Sequence, residues 1–377
     1  MKPSLLIFEL RMMGDAIMSL PFIRAAMEKH EVFVCCQPSV ADVFRTVLPE
    51  EQIILWRPPW LNEKEKQGSS KWKNAGIKSF IQRLRQVQAQ AAVSVWADAR
   101  VHVLMALSGA KERVGFPMTK RNFYASELPW RRRQILIGKV LNFWGSLLLC
   151  RKLITKKIDR NDYYQHHVEA WRQLADALNL NWSAEFPWFA PLLTSLPDPV
   201  SAWLQAARAG GQKIWLLHPG ARTPNRRWPL EKFRGLIEQT FHNSRTPLIV
   251  IDPMETPLPA QWLPGVFTWR PGSLGEFFSI VSAVDNVICN DTGVSHVAAA
   301  LGRRVVSIFG ANLPRWFAPY GNLDLVAEQD VCPHRPCFDR CVMPSYICIE
   351  AVTVEMVKQQ VEKLHSSNAG MPPGLPD

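Results

Sequence analysis

Residues 290–296 place an acid, a hydroxyl, a glycine and an imidazole directly after the apolar run at 284–289. Asp291 and Thr292 are residue types that cap helices, and Gly293 would let a ligand come close to the backbone. The first N–H groups of a helix are unpaired and carry the positive end of its dipole, which favours phosphate. The stretch therefore predicts a strand, a turn and a helix. The helix start either holds an anion or is capped without a ligand.

A second stretch with reactive side chains begins at the apolar run 214–217, which is followed by His218, Pro219 and Gly220. Arg226 comes shortly afterwards, in the sequence Arg-Arg-Trp-Pro. A guanidinium can bind a phosphate through two parallel hydrogen bonds, whereas an ammonium group acts as a point charge. The arginine pair therefore indicates either a phosphate contact or a solvated basic turn.

An acidic residue, Asp15, lies in the loop between the apolar run 4–10 and the helical spacing of residues 16–29. Ligands of open α/β sheets bind at the carboxyl ends of the strands, where this loop is expected. On residue types alone, capping a helix is the commoner use of an aspartate in this position. A reactive carboxylate is the alternative.

These three stretches occur together, and in this order, in one protein family. Residues 14–21, 218–229 and 290–296 resemble the ADP-heptose:lipopolysaccharide heptosyltransferases, which form glycosyltransferase family 9. The resemblance implies an inverting enzyme that moves a heptose or similar sugar from an ADP-activated donor to a lipopolysaccharide core or related acceptor. It implies an α/β fold of the GT-B type, with two Rossmann-like doubly wound domains facing a central cleft. No cofactor is expected to be required for catalysis.

The resemblance also assigns roles to individual residues. Asp15 becomes the general base that removes the proton of the acceptor hydroxyl, and Arg226 becomes the cation that meets the donor phosphates. An acidic contact to the ribose or the sugar falls on Asp252 or Glu255, which the sequence does not separate. The family often has hydroxyls just after His-Pro-Gly, whereas this chain has Ala221, Arg222 and Thr223, so the resemblance does not identify the hydroxyl donor of the phosphate loop. The implied donor-binding residues are His218, Gly220, Arg222, Arg226, Asp252, Asp291, Thr292, Gly293 and His296.

Four cysteines form the pattern C-x4-C-x3-C-x6-C near the C-terminus. Four thiolates can hold a zinc or iron ion in tetrahedral geometry. The spacing is not that of a common zinc finger, so free or paired thiols are the alternative. Some members of the resembled family carry similar cysteines after the last strand. The predicted ligands of a structural zinc or iron are Cys332, Cys337, Cys341 and Cys348.

The charge of the chain favours anionic partners. Its 377 residues carry 44 Lys and Arg against 33 Asp and Glu, a net charge of +11. Nucleotides, phosphorylated sugars, phospholipids and nucleic acids all fit this charge. No zinc-finger, RRM or KH pattern accompanies the basic residues, so no nucleic acid is expected. The resemblance implies an ADP-sugar donor and an anionic lipid-linked or lipopolysaccharide acceptor.

No apolar run reaches the ~20 residues that a spanning helix needs, and no signal-peptide pattern follows Met1. A cytoplasmic location is therefore expected. Residues 131–157 mix basic side chains with aromatic and aliphatic ones, which suits a peripheral contact with the inner face of the cytoplasmic membrane. A core helix with solvated basic ends is the other interpretation of this segment.

Alternating strand and helix patterns predict two domains. Prolines without a clear period at 180–199 mark a linker between an acceptor-binding domain at 1–185 and a nucleotide-sugar-binding domain at 200–350. A closing helix at 351–365 and a disordered tail at 366–377 follow.

One function of a different class remains at this point. A non-catalytic protein that binds nucleotide or nucleic acid could keep the same fold. The presence of Asp15 together with the donor motif at 290–296 argues against it.

Overall fold

The computed structural model describes residues 2–60, 76–117, 152–159, 165–192, 195–242, 246–253, 257–259, 262, 265–337 and 341–366. The chain forms two compact units, Met1–Ala184 and Glu185–Asp377. Each unit is built on its own six-stranded sheet.

The N-terminal unit alternates strands with helices. Its strands are β1 Ser4–Phe8, β2 Glu31–Cys36, β3 Ile53–Leu55, β4 Ala91–Ser94, β5 Glu112–Gly115 and β6 Lys156–Lys157. Its helices are α1 Met13–Met18, α2 Leu20–Lys29, α3 Ala41–Arg45, α4 Ile77–Gln86, α5 Ala99–Leu107 and α6 His167–Ala177, with 3-10 turns at Pro38–Val40 and Glu50–Gln52. The strands pair in parallel in the order β3-β2-β1-β4-β5-β6. This is the doubly wound order, in which the chain reverses direction across the sheet between β1 and β4.

The long helix predicted over residues 16–29 is divided at Ser19. The Oγ of Ser19 donates to the carbonyl oxygen of Ala16 at 2.7 Å, and its N–H bonds to the carbonyl oxygens of Asp15 and Ala16. Pro21 follows two residues later and has no N–H to continue the ladder of the first helix. The division leaves α1 as a short helix that carries Asp15 in its first turn.

The C-terminal unit repeats the same arrangement. Its strands are β7 Trp215–His218, β8 Leu248–Ile251, β9 Phe267–Trp269, β10 Asn286–Asn290, β11 Arg304–Phe309 and β12 Val326–Glu328. Its helices are α7 Asp198–Ala209, α8 Leu230–Ile237, α9 Leu274–Ser282, α10 Gly293–Ala300, α11 Pro314–Phe317, α12 Ile347–Glu350 and α13 Val354–Ser366; 3-10 turns lie at Pro224–Arg226 and Leu323–Leu325, and a π-helix at Glu238–His242. The strands pair in parallel in the order β12-β11-β10-β7-β8-β9.

Successive residues of β8 and β10 are all buried, so both faces of this sheet are covered, as a parallel sheet requires. Trp215, Trp228 and Phe233 are buried in one apolar cluster with Val357 and Val361 of the closing helix α13. The indole N–H of Trp228 donates to the carbonyl oxygen of Val352 at 2.9 Å, so the ring is satisfied inside the core. The last helix is therefore an integral part of the C-terminal unit.

The predicted α/β class with two Rossmann-like, doubly wound sheets is confirmed. Within the part of the chain that the structure describes, no helix is long and apolar enough to cross a membrane. Residues 131–151 of the predicted membrane-contact segment, and 367–377 of the predicted tail, lie outside the described residues.

Candidate functional site

Two neighbouring central strands of the C-terminal unit bring the predicted donor motifs together at one edge of the sheet, the edge formed by the carboxyl ends of its strands. Strands β7 and β10 pair in parallel, with His218 opposite Cys289. The loop after β7 contains Gly220, and the turn after β10 leads into α10. These two strands are the point where the strand order reverses, which is where doubly wound sheets bind ligands.

Asn290, the last residue of β10, ties these loops together. Its side chain is fully buried. Its Nδ2 donates to the carbonyl oxygens of Pro219 at 2.7 Å and Gly220 at 3.2 Å. Its Oδ1 accepts the N–H of Trp228 at 3.1 Å. One amide thus fixes the His-Pro-Gly loop and the entry into α8 against the end of β10.

The start of α10 has the features of an anion site. Thr292 is the extended residue before the helix, and its side chain does not cap it. Its buried Oγ1 has no hydrogen-bond partner among the described residues. The free end of an eight-residue helix offers N–H groups and a partial positive charge. The hydroxyl and the backbone are therefore available together at this end.

Arg226 lies beside this helix start, held by Asp291. Its Nη1 is 3.5 Å from both the Oδ2 and the carbonyl oxygen of Asp291. The carboxylate also accepts the Nδ2 of Asn312 at 2.8 Å. The Asp291 side chain is buried, whereas that of Arg226 is 23% exposed. The contact with Asp291 holds the guanidinium at the start of α10.

The loop between β7 and α8 leaves little space for side chains. A Cβ on Gly220 would lie 2.6 Å from the Cβ of Pro253 and 2.9 Å from the Cε1 of His218. Burial lowers the pKa of His218 to about 4, so its ring is neutral at physiological pH. Arg227 fixes the loop from outside, since its Nε donates to the carbonyl oxygen of Ala221 at 2.6 Å.

The remaining predicted donor residues differ in their surroundings. Arg222 is exposed at the loop surface, and His296 is 6% exposed on α10. Asp252 forms an ion pair with Arg270, and its Oδ1 accepts the N–H of Leu258 at 2.8 Å. Both of its oxygens are thus engaged within the protein. Glu255, the alternative acidic residue, lies outside the described residues.

In the N-terminal unit, Asp15 is bonded to the backbone of its own loop. Its Oδ2 accepts the N–H of Met12 at 3.2 Å. The contact is the local bond expected of a helix-capping side chain. The bond to Met12 involves one carboxylate oxygen, so capping does not exclude the predicted role as base.

A second carboxyl group, Glu9, supports the same loop and was not singled out from the sequence. It follows β1 and is fully buried. Its Oε1 accepts the N–H of Arg11 at 3.0 Å, and its Oε2 accepts the indole N–H of Trp96 at 3.2 Å. Burial, and then the charge of Asp15, raise its pKa to about 8. The protonated form of Glu9 is therefore favoured at pH 7.

The guanidinium of Arg11 lies over the ring of Trp96, 4.3 Å from its centre. The ring of His167 stacks on Trp96 at 4.5 Å between centroids. These contacts hold the indole whose N–H bonds Glu9. The only sequence signal for this group was an acid at the end of an apolar run, next to a basic residue.

The predicted donor motif at 290–296 lies within a segment that matches a protein-family model. Residues 271–347 match the model of glycosyltransferase family 9 (heptosyltransferase). This segment of the chain is similar to glycosyltransferase family 9. The match contains the donor motif at 290–296, so the predicted resemblance and the glycosyltransferase class are confirmed. Asp15 and Arg226 lie outside the matched segment, and their roles stay predictions.

Solved structures share the fold of this chain at low sequence identity. A glycosyl transferase family 9 protein from Veillonella parvula is 14% identical, covers 96% of this chain and 97% of its own, and has a TM-score of 0.67. E. coli heptosyltransferase WaaC with ADP is 17% identical, with 96% and 99% covered and a TM-score of 0.62. The dodecameric iron-containing heptosyltransferase TibC of enterotoxigenic E. coli, in complex with ADP-D-beta-D-heptose, is 12% identical, with 98% and 77% covered and a TM-score of 0.52. No curated protein matches the chain.

The cysteine cluster near the C-terminus lies beside the loop that carries Arg226. Cys332, Cys337 and Cys348 are buried, and burial followed by the nearby Cys332 and Cys337 raises the pKa of Cys348. The Nδ2 of Asn225 lies 3.5 Å from the Sγ of Cys337. Cys341 is half-buried, with its Sγ 3.9 Å from the carbonyl oxygen of Met343.

These thiols do not fit a metal as they lie. Across the described residues, no group of three or more His, Cys, Asp or Glu is arranged to hold a metal ion. The zinc or iron site of Cys332, Cys337, Cys341 and Cys348 stays a prediction from the sequence, and metal analysis of the purified protein tests it.

Replacing Glu9 by Gln should change how stability depends on pH. The pKa of Glu9 is 4.5 in the unfolded reference and about 8 in the folded protein. Between these values the folded state keeps a proton that the unfolded state releases, so stability falls as pH rises. Glu9→Gln removes this contribution of Glu9 to the pH dependence of stability. The fall in Tm between pH 5 and pH 8 should be smaller by about 2 °C or more.

Thermal unfolding of both proteins across this range measures the difference. Glu51→Gln, at an exposed glutamate, is the matched control and should keep the wild-type slope. Equal slopes in wild type and Glu9→Gln would mean that Glu9 is ionised in the folded protein.

Proposed function

We propose that this protein is an inverting heptosyltransferase that binds an ADP-activated heptose, or a similar ADP-sugar, through its C-terminal unit. The observation that carries the proposal is the placement of Arg226 and the start of α10 at one sheet edge, joined through Asp291. WaaC with ADP and TibC with ADP-D-beta-D-heptose share the fold, which supports this nucleotide.

Leaving-group stabilisation follows from the charges at this edge. ADP gains negative charge as the bond from the anomeric carbon to its phosphate oxygen breaks. A helix start supplies about half a positive charge, which does not balance a diphosphate. Arg226 adds a full charge and a fork of donors, and the Oγ1 of Thr292 adds a neutral one. His218, Gly220, Gly293 and His296 complete the proposed donor contacts, with Arg222 and Asp252 at the periphery.

We assign the base to Asp15. In the proposed reaction the acceptor oxygen forms a bond to the anomeric carbon from the face opposite ADP, and its proton passes to the Asp15 carboxylate. The bond to the phosphate oxygen of ADP breaks and inverts the anomeric centre. The acceptor we propose is a lipopolysaccharide core or a related anionic lipid-linked sugar, reached in the cytoplasm at the inner face of the membrane. The net charge of +11 suits such an acceptor.

Incubation with a panel of ADP-sugars and UDP-sugars, with and without lipopolysaccharide core, tests the function. We expect release of ADP from ADP-heptose, and faster release with the acceptor present. Binding of ADP without turnover of any sugar nucleotide would contradict the enzymatic role and favour a nucleotide-binding protein.

Arg226→Ala should weaken the binding of ADP by roughly ten- to a hundredfold, the cost of a charge-assisted pair. Arg226→Lys should recover only part of the loss, because an ammonium group restores the charge without the fork. Titration calorimetry with ADP measures both variants.

The control is Arg304→Ala, which removes one positive charge at the amino end of β11, where Arg304 pairs with Asp324 at 2.9 Å. It should bind ADP like wild type. Equal affinities of wild type and Arg226→Ala would place Arg226 in solvent and leave the donor site without its main cation.

Asp15→Asn should reduce sugar transfer by about 10²-fold or more while donor affinity stays near wild type. The amide keeps an oxygen that can accept the N–H of Met12, so a capping role alone would survive the change. Transfer rates with saturating donor, and ADP affinity by calorimetry, separate the two roles. Transfer at the wild-type rate would show that Asp15 only caps α1.

A further inference from the structure

Asn290 uses its side chain to control the direction of two carbonyl groups. The carbonyl oxygens of Pro219 and Gly220 both accept its Nδ2. They are therefore turned toward the end of β10. A carbonyl oxygen is the negative end of the peptide dipole, so its direction decides whether a loop attracts or repels an anion.

The same side chain sets the position of the neighbouring segment. Its Oδ1 accepts the N–H of Trp228, two residues after Arg226. Trp228 is buried, and its indole N–H donates to the carbonyl oxygen of Val352. Its backbone and side chain are therefore both held, which restricts the conformations of the segment that carries Arg226. Asp291, which follows Asn290 in the sequence, contacts the guanidinium of Arg226. Asn290 thus contacts both the His-Pro-Gly loop and the segment that follows Arg226.

The bonding groups of Asn290 match this environment in chemistry as well as in position. Only an amide of this length offers two N–H groups and one acceptor on the same short side chain. Aspartate would present an oxygen to two carbonyl oxygens, and alanine would leave two carbonyls and one N–H without partners in a buried place. A buried polar group without a partner destabilises a protein by more than one hydrogen bond stabilises it. The loops would therefore shift until these groups have other hydrogen-bond partners.

We propose that Asn290 is a positioning residue for the donor diphosphate: it turns the Pro219 and Gly220 carbonyls away from the anion and fixes the segment that carries Arg226. This inference rests on the proposed function for the identity of the ligand. It assigns Asn290 no contact with the nucleotide and no part in the bond changes.

The matched control lies on the same strand. Asn286 is also buried, at the other end of β10, and its Nδ2 has no hydrogen-bond partner among the described residues. Asn286→Ala removes the same atoms from the same strand without touching the donor loops. Both variants lower core packing, so a change shared by the two reports stability and not positioning.

Titration calorimetry with ADP is the first measurement. Asn290→Ala and Asn290→Asp should bind ADP about tenfold or more weakly than wild type, as expected when buried partners are left unpaired. Asn286→Ala should bind like wild type at a temperature at which all proteins are folded. Wild-type affinity in Asn290→Ala, or an equal loss in Asn286→Ala, would overturn the inference. No binding of ADP by wild type would instead refute the proposed donor.

Hydrogen exchange of the free protein tests the loop without any ligand. Peptides covering residues 218–229 should exchange faster in Asn290→Ala than in wild type, and at the wild-type rate in Asn286→Ala. Unchanged exchange in Asn290→Ala would show that the loops are held by other contacts, and the inference would fail whatever the ligand is.

Discussion

The proposed donor site lies at the carboxyl ends of β7 and β10, and it depends on the parallel pairing of these two strands. These strands are distant in sequence, yet their parallel register sets His218 beside Cys289 and leaves two loops at the same edge. Parallel strands cannot be joined by a tight turn, so the intervening chain must cross over the sheet and return. That return path supplies β8, β9 and α9 and leaves the switch point open. The proposed donor contacts of the loops after β7 and β10 follow from this register.

Buried polar side chains hold the guanidinium of Arg226 at the carboxyl end of the C-terminal sheet. Asn312 bonds Asp291, and Asp291 contacts Arg226. Arg335 donates to the carbonyl oxygen of Asn312 at 2.8 Å and pairs with Glu328. The chain of contacts links the guanidinium to the segment that carries the cysteines. A partly exposed arginine held in this way loses less side-chain entropy on meeting a phosphate than a free one would.

The sequence predicted the sheets better than the site. Apolar runs and their spacing located the strands of both sheet centres, because buried parallel strands are uniformly apolar. Edge strands such as β6 and β9 were missed, since they are short and partly exposed. The division of the first helix at Ser19 depends on a side-chain bond that a periodic pattern does not reveal. The motifs located Arg226 and Asp291 but not Asn312, which comes from the loop after β11 and joins them only in three dimensions.

The pair of carboxyl groups in the N-terminal unit shows what sequence patterns leave out. Glu9 and Asp15 hold adjacent N–H groups of one loop, those of Arg11 and Met12. Two carboxylates in one small region repel each other, and the more buried one keeps its proton. Burial therefore favours the protonated form of Glu9 at neutral pH. A motif search identifies Asp15 by its neighbours in sequence, but it does not reveal that Glu9 and the indole of Trp96 support the same loop in three dimensions.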